Sequence, residues 1–149
     1  MDATNPNTLI FMLQITNFTD TTFWLDDISP ENPPVDRPDK ILPYETVNLI
    51  FEGDPHLKQD INIDYDIKKQ IFDTYIKYTN YRQTALFETT LSYCHRQTAG
   101  HRIPRVELFW EYYATSVGSE PIKCLSNLHN KSETYPYNYF MGAIITMPS

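Results

Sequence analysis

LIFMLQITNFTDTTFWLD, residues 9–26, is the stretch that decides the fold. A first β-strand is predicted over residues 8–16, because its apolar side chains recur with the period of two that a strand requires. The polar residues 17–20 supply turn chemistry, and a second strand is predicted over 21–26. On the first strand the two faces carry Leu9, Phe11, Leu13 and Ile15 on one side and Ile10, Met12, Gln14 and Thr16 on the other. The chain is therefore expected to open with a β-hairpin whose first strand is partly apolar on both faces.

Short alternating stretches separated by turn residues recur along the remainder of the chain. They predict further strands over 45–51, 60–67, 71–79, 84–93, 106–115, 121–125 and 137–147. No stretch of ten or more residues fits the helical period better. Eight or nine such strands in 149 residues predict an all-β protein, a single-domain antiparallel β-sandwich that spans residues 1–149 and has a frayed N-terminus at 1–7.

A proline-rich segment, residues 27–43, follows the opening stretch. Proline cannot donate to a sheet ladder and its φ is fixed, so an extended loop without strands is predicted here. The segment is either a functional loop or a stiff crossover between two sheets. Its prolines are Pro30, Pro33, Pro34, Pro38 and Pro43.

Charge is distributed unevenly along the chain. The formal net charge is −7, which argues against generic nucleic-acid binding by the whole molecule. Residues 1–66 hold 13 acidic and 3 basic residues, whereas residues 67–149 hold 6 acidic and 9 basic residues. A surface for an anionic ligand is therefore expected in the second half.

The N-terminal sequence MDATNPNT has no basic region, and the apolar run after it is too short for a signal-peptide core. No run approaches the roughly 20 apolar residues of a membrane span. We expect a soluble protein that is cytoplasmic or exported without a cleaved N-terminal signal, and that can associate with a membrane surface. The glycosylation sequons at Asn17 and Asn130 are interpreted as chance matches.

Catalytic motifs are missing from the sequence. There is no G-x-S-x-G, no Gly-rich phosphate loop and no H-E-x-x-H. Asp60, Asp64 and Asp66 would share one face of the fourth predicted strand, and paired carboxylates can hydrolyse glycosides. A solvated acidic face is the commoner arrangement. We predict no catalytic residue, no enzymatic activity and no cofactor, with a carboxylate-based hydrolase as the remote alternative.

Possible metal ligands are few and irregularly spaced. Cys94 and His95 are adjacent, so on a strand their side chains would point to opposite faces. No metal site is predicted. The two cysteines are either buried thiols or, in an oxidising compartment, a disulfide. The residues considered as zinc ligands are Cys94, His95, His101, Cys124 and His129.

Basic side chains would gather at one end of the sandwich if the predicted strands from 60–67 to 121–125 form an up-and-down meander. Successive loops of a meander alternate between its two ends. We name this surface the cationic pole. It would bind phosphate head groups of membrane lipid or an acidic protein partner. The alternative is that these side chains pair with the acidic N-terminal half. The pole comprises Lys68, Lys69, His95, Arg96, His101, Arg102, Arg105 and Lys131, with His129 beside them.

Aromatic residues form a second candidate contact surface. If Trp110 faces the core, its neighbours along the strand face outward, and tyrosines crowd the start of the last strand. Exposed aromatic rings suit protein and membrane interfaces. The alternative is that the long loop or a sheet edge covers them. The predicted contact residues are Phe109, Tyr113, Tyr135 and Tyr137.

The N-terminal third of the chain resembles aegerolysins and related small lipid-binding or pore-forming β-sandwich toxins. Those proteins open with a strand of the form apolar-x-apolar-x-Asn-x-Thr, then a second strand, a loop that ends in a proline turn, and another strand. The matching positions are Leu13, Ile15, Asn17, Thr19, Phe23, Leu25, Ile41, Leu42, Pro43, Val47 and Phe51. The resemblance implies a β-sandwich that binds membrane lipid, often together with a larger partner protein.

Two hypotheses about function follow. The first is a non-enzymatic binding module that recognises membrane lipid or a host or partner protein, as a bacterial toxin or virulence component would, with oligomerisation on binding. The second is a protein-interaction or assembly subunit, or an effector, that binds no lipid and uses sheet edges or segment 27–43.

Overall fold

Alternating apolar and polar residues produce a strand-only architecture. A computed structural model of the protein describes residues 7–55, 65–96, 105–119 and 122–148. In these ranges it contains ten β-strands and no helix, which confirms the predicted all-β sandwich. The strands are β1 (Leu9–Phe18), β2 (Phe23–Ile28), β3 (Pro34–Asp36), β4 (Lys40–Ile41), β5 (Thr46–Gly53), β6 (Lys69–Thr79), β7 (Gln83–Arg96), β8 (Arg105–Gly118), β9 (Lys123–Lys131) and β10 (Tyr139–Thr146).

The strands form two five-stranded sheets. Sheet A has the order β3-β5-β1-β10-β9, and sheet B has the order β4-β2-β6-β7-β8. Neighbouring strands run antiparallel except β1 and β10, which pair in parallel at the centre of sheet A. The chain therefore closes sheet A by laying its last strand beside its first.

Aromatic rings fill the space between the sheets. Phe11 of β1 stacks on Phe51 and on Tyr139, with ring centroids 5.1 and 4.5 Å apart. Phe72 of sheet B meets Phe11 edge-on with the centroids 6.2 Å apart. The Tyr139 hydroxyl shares a 3.1 Å hydrogen bond with Thr89 Oγ1 across the core. As the alternation predicts, the side chains of β1 that face this core are buried, namely Leu9, Phe11, Leu13 and Ile15.

The prediction of an opening hairpin is wrong. β1 belongs to sheet A and β2 belongs to sheet B, so the chain between them passes over the end of the sandwich. A turn does follow β1, but β1 continues to Phe18, so the connection is residues 19–22 and it joins two sheets rather than two paired strands. Local sequence predicts the turn, whereas the choice of partner for each strand depends on distant residues.

Asn17 holds this crossover in place from a fully buried position. Its side-chain Nδ2 group lies 2.7 Å from Thr21 O, 3.3 Å from Ile41 O and 3.2 Å from Leu42 O. Its Oδ1 accepts hydrogen bonds from the backbone N–H and the hydroxyl of Thr19. One amide therefore ties the β1–β2 crossover to the chain at the end of β4.

Segment 27–43 contains two short edge strands, so the prediction that it contributes none is wrong. β3 pairs with β5 at one edge of sheet A, and β4 pairs with β2 at one edge of sheet B. Proline is compatible with these positions, because an edge strand forms ladder hydrogen bonds on one side only. The segment passes between the two sheets, which is the second interpretation given above.

Two other predictions need correction. β6, β7 and β8 form the expected meander, but β9 lies in sheet A, so the meander ends where the chain leaves β8. The strand predicted over 121–125 continues to Lys131 as β9, and His129 therefore lies on a strand rather than in a loop. The strand predicted over 60–67 falls largely outside the described residues, and Tyr65 forms an isolated bridge with His95.

We expect Asn17→Ala to lower the free energy of unfolding by about 3 to 5 kcal/mol, because it removes the buried hydrogen bonds to Thr19 N–H and Ile41 O and two partly buried ones. Asn48→Ala removes an exposed amide of sheet A that is bonded to Gln14, and should cost less than about 1 kcal/mol. Urea denaturation of both variants measures the difference. Equal stability of the two variants would contradict the role given to Asn17.

Two glycines give a second matched pair. A Cβ at Gly53 would lie 2.5 Å from Cδ2 of the buried Phe72 ring, so Gly53→Ala should destabilise the protein by about 1 to 3 kcal/mol. A Cβ at Gly142 would meet the imidazole of His129, which is exposed and can turn away. Gly142→Ala should therefore change stability by less than about 1 kcal/mol. Thermal unfolding distinguishes the two, and a larger loss at Gly142 would refute this reasoning.

Candidate functional site

The strands that form the two lateral edges of the sandwich differ greatly in length. On one side lie β3 and β4, which have three and two residues. On the other side lie β8 and β9, which have 14 and nine residues and are each the last strand of their sheet. Short or proline-containing edges resist pairing with another chain, whereas long edges offer unpaired backbone groups. We name the side formed by β8 and β9 the open edge.

Most described members of the cationic pole lie at one end of sheet B. Lys69 pairs with Tyr93, and Arg96 pairs with Arg105, so the start of β6, the end of β7 and the start of β8 are level. The predicted loop between 94 and 105 is shorter than expected, since β7 continues to Arg96. His101 and Arg102 lie outside the described residues.

Carboxylates neutralise much of this end. Arg96 Nε lies 2.6 Å from Glu107 Oε2, and Arg96 Nη1 lies 2.6 Å from Asp66 Oδ1. The hydrogen bonds to Glu107 and Asp66 raise the pKa of the Arg96 guanidinium above its ordinary value. Lys68 Nζ lies 3.1 Å from Glu111 Oε1. These pairs correspond to the alternative of internal pairing, although two of the three carboxylates come from β8 rather than from the N-terminal half.

Two lysines also lie over aromatic rings on the open edge. Lys68 Nζ is 4.4 Å from the centroid of the Phe109 ring, and Lys131 Nζ is 4.7 Å from the centroid of the Trp110 ring. Both distances are within the range of cation–π attraction. Because Phe109 and Trp110 are consecutive on β8, the two lysines approach the strand from its opposite faces. Lys68 and Lys131 therefore flank the free edge of β8.

A cleft of about 460 Å³ runs along this part of β8. The indole Nε1–H of Trp110 is buried there and has no hydrogen-bond acceptor among the described residues. An unpaired buried donor costs about 1 to 3 kcal/mol. The cleft is lined by Lys68, Leu108, Phe109, Trp110, Glu111, Tyr112, Leu128 and Lys131.

The predicted aromatic contact residues differ in exposure. Tyr113 and Tyr135 are 58% and 42% exposed, and Phe109 is half-buried. Tyr137 is only 7% exposed, so its prediction as an outward contact residue is wrong. Its backbone N–H donates to Thr134 O at 2.9 Å in a tight turn, and this turn directs the Tyr137 ring into the core with Tyr135 edge-on at 5.7 Å.

Cysteine and histidine residues do not converge in the described ranges. Cys94 and Cys124 are free and buried on β7 and β9, and burial raises the pKa of the Cys124 thiol to about 12. His129 packs on Phe140 with ring centroids 5.3 Å apart, and His95 meets Tyr93 edge-on. No group of three or more potential metal ligands occurs among the described residues. Asp66 of the carboxylate hypothesis pairs with Arg96, and Asp60 and Asp64 lie outside the described part.

Sequence reasoning missed the residues that define the open edge. The sequence pattern predicts Trp110 only as a core residue and predicts no role for Glu107 or Glu111. The available signal was the alternation of aromatic and acidic residues over 107–113. It becomes informative only with the knowledge that β8 is the last strand of its sheet.

The structure thus defines an all-β sandwich with one protected and one open side. No helix in the described ranges has the length and apolar character needed to cross a membrane. Comparisons of the chain with protein-family models, curated proteins and solved structures found no match. The resemblance to aegerolysins therefore stays a prediction that rests on the sequence alone.

The Lys68–Glu111 ion pair leads to a testable prediction about the pKa of Glu111. The hydrogen bond from Lys68 and its positive charge lower the pKa of Glu111 below its ordinary value. A carboxyl whose pKa is lower in the folded state stabilises the fold at neutral pH, and this contribution is lost as the pH falls through the folded-state value. Lys68→Met should therefore raise the pKa of Glu111 towards the ordinary range.

Carboxyl NMR titration of Glu111 in the wild type and in Lys68→Met measures this change. Lys77→Met, which removes a lysine of β6 distant from Glu111 along the sheet register, serves as the matched control and should leave the titration where it is. An unchanged Glu111 titration in Lys68→Met would show that the ion pair is not formed in solution.

Proposed function

We propose that this protein is a non-enzymatic binding module that recognises an acidic, extended segment of a partner protein along β8. The observation that supports this proposal is the 14-residue free edge of β8, flanked on its two faces by Lys68 and Lys131. Addition of a strand to an exposed sheet edge is a recurring mode of peptide recognition.

Backbone hydrogen bonds would supply the affinity. β8 pairs with β7 over its full length and has no strand on its other side among the described residues. A segment of eight to ten residues laid against this edge would find unpaired N–H and C=O groups along it. The core of the sandwich already orders β8, so the partner alone loses conformational entropy on binding.

Side chains on both faces would select an acidic segment. The side chains of an added strand alternate between the two faces of the sheet, so one set would meet Lys68 and Phe109 and the other would meet Lys131 and Trp110. Arg105 and Lys131 have no ion pair with any carboxylate of the described residues. Acidic side chains of the partner would pair with these two cations.

A second candidate is recognition of anionic lipid head groups. It is favoured by the two lysines that lie over aromatic rings, since both residue types occur at membrane–water interfaces. It also agrees with the resemblance to aegerolysins and with a role as a toxin component. The 14-residue free edge of β8 favours the protein partner, because a lipid head group has no backbone to pair with it.

Binding to a ten-residue peptide of repeating Glu-Glu-Val-Val tests the proposal, because its Glu side chains would point to both faces of an added strand. A peptide of repeating Lys-Lys-Val-Val is the ligand control. We expect the acidic peptide to bind and the double variant Arg105→Glu/Lys131→Glu to weaken binding by about tenfold or more, because each reversed charge removes an attraction and adds a repulsion. Isothermal calorimetry measures the affinity.

Lys123→Glu is the matched control, because Lys123 is exposed at the opposite end of β9 from Lys131. It should change the affinity less than twofold. Vesicles with and without phosphatidylserine form the second arm of the experiment. Binding to the anionic vesicles but not to the acidic peptide would replace the proposed partner with a lipid, and binding to neither would refute both candidates.

A further inference from the structure

The outer face of sheet A is nearly free of formal charge and carries two apolar clusters separated by a row of amides. Rows of directly opposed residues on four strands point away from the core, because opposed residues of a ladder share one face. The first row is Ile50, Met12, Phe140 and Asn130, the second is Asn48, Gln14, Gly142 and Asn127, and the third is Thr46, Thr16, Ile144 and Leu125. The charged residues of this face lie at its rim, namely Asp36, Glu52 and Lys123.

The outer face of sheet B differs in carrying formal charges on its central strands, among them Asp73, Lys77 and Glu88, beside apolar residues such as Leu86. Several of its polar side chains bond to one another, as Thr90 does to Asp73 at 2.9 Å and Tyr75 does to Asp27 at 3.1 Å. Outward positions of a sheet that faces water are normally polar. The apolar side chains of sheet A therefore indicate a face that becomes covered.

Two open grooves of about 410 Å³ each lie on this face of sheet A. The ring of His129 lies close to Gly142, where no side chain stands in its way, and lines the groove that contains Ile144. One groove contains Met12 and Phe140, and the other contains Ile144 and Leu125. Leu125 is 46% exposed even though it lies on a strand. Both grooves are open and apolar, as a docking surface requires.

We propose that a second copy of this chain covers the outer face of sheet A, forming a symmetric dimer. The polar row in the middle of the face is self-complementary, since the amides of Gln14, Asn48 and Asn127 both donate and accept hydrogen bonds. A two-fold axis that runs along this row places amide opposite amide. It also places the Met12 row of each copy opposite the Ile144 row of the other, as an isologous interface requires.

Charge and area support a second copy as the occupant. Each chain carries a net charge of −7, and this face lets two copies meet with the least repulsion, because its charged residues lie at the rim. Four strands about 4.8 Å apart and eight residues long give roughly 500 Å² per copy. The total of about 1,000 Å² is close to the lower limit for specific interfaces, so the dimer should exchange with monomer.

Sedimentation velocity of the full chain at concentrations from about 5 to 500 µM tests the proposal, a range suited to a small interface. We expect the dimer fraction to rise across this range. Leu125→Lys and Ile144→Lys place charges on the face and should raise the dissociation constant by about tenfold or more. Leu86→Lys makes the same kind of change on the outer face of sheet B and should leave the dissociation constant within twofold.

Chemical cross-linking tests the placement of the axis. Gln14→Cys should cross-link to itself through a bismaleimide that spans about 10 Å, the separation of packed sheets. Thr84→Cys on sheet B should not, and the wild type should not, because Cys94 and Cys124 are buried. A chain that stays monomeric at all concentrations, or a dimer that survives both lysine variants with unchanged affinity, overturns the proposal.

The proposal does not depend on the acidic-segment function, because the dimer forms through the outer face of sheet A and the acidic segment binds along β8. Lys131 lines one of the grooves and also flanks β8, so Arg105→Gln, at a position outside both grooves, is the variant that separates the two. Arg105→Gln should leave the dissociation constant of the dimer within twofold, and Ile144→Lys should leave peptide binding within twofold. Loss of both properties in Ile144→Lys, together with an altered circular dichroism spectrum, would mean that this variant misfolds. Leu125→Lys, at an already exposed position, would then decide the outcome.

Discussion

The buried amide of Asn17 is the interaction on which the arrangement of the two sheets depends. It bonds to the crossover that carries the chain from sheet A to sheet B, and also to the carbonyl groups of Ile41 and Leu42 at the end of β4. The hydrogen bond to Ile41 O is buried, where loss of a partner is costly, whereas Leu42 O also accepts from the Glu45 N–H at 3.1 Å. One side chain thus ties the first change of sheet, from β1 to β2, to the chain at the end of β4, where it returns to sheet A.

This constraint explains why the two sides of the sandwich differ. Because the chain leaves sheet A at the end of β1 and enters sheet B as β2, the proline-rich segment can supply one short strand to each sheet, β3 and β4. These strands protect one side. At the other side, the chain passes directly from β8 to β9, and the Ser116 hydroxyl donates to Ile122 O across the change of sheet. Neither β8 nor β9 receives a further strand from the described part of the chain.

Sequence patterns predicted the features that depend on residues close together in the chain. The burial of Leu9, Phe11, Leu13 and Ile15 follows from period two, and the turn at 80–83 follows from its polar residues. The patterns failed where partners are distant in sequence: β1 and β2 are adjacent but lie in different sheets, and a turn directs Tyr137 inward. The candidate site was half predictable, because Lys68 and Arg105 were identified from charge. Their carboxylate and aromatic neighbours on β8 could be identified only from the register of the strands in the structure.

The two proposed interfaces are geometrically compatible. A two-fold axis along the amide row of sheet A keeps each strand opposite its own copy, so β9 faces β9 and both open edges lie on the same side of the dimer. A partner with two acidic segments could then bind both edges at once, and the second contact would form at a high effective concentration. Two weak contacts, one at each β8, would in this way give tight binding of the partner. The modest area of the sheet A face would make that attachment depend on protein concentration, because monomer and dimer exchange.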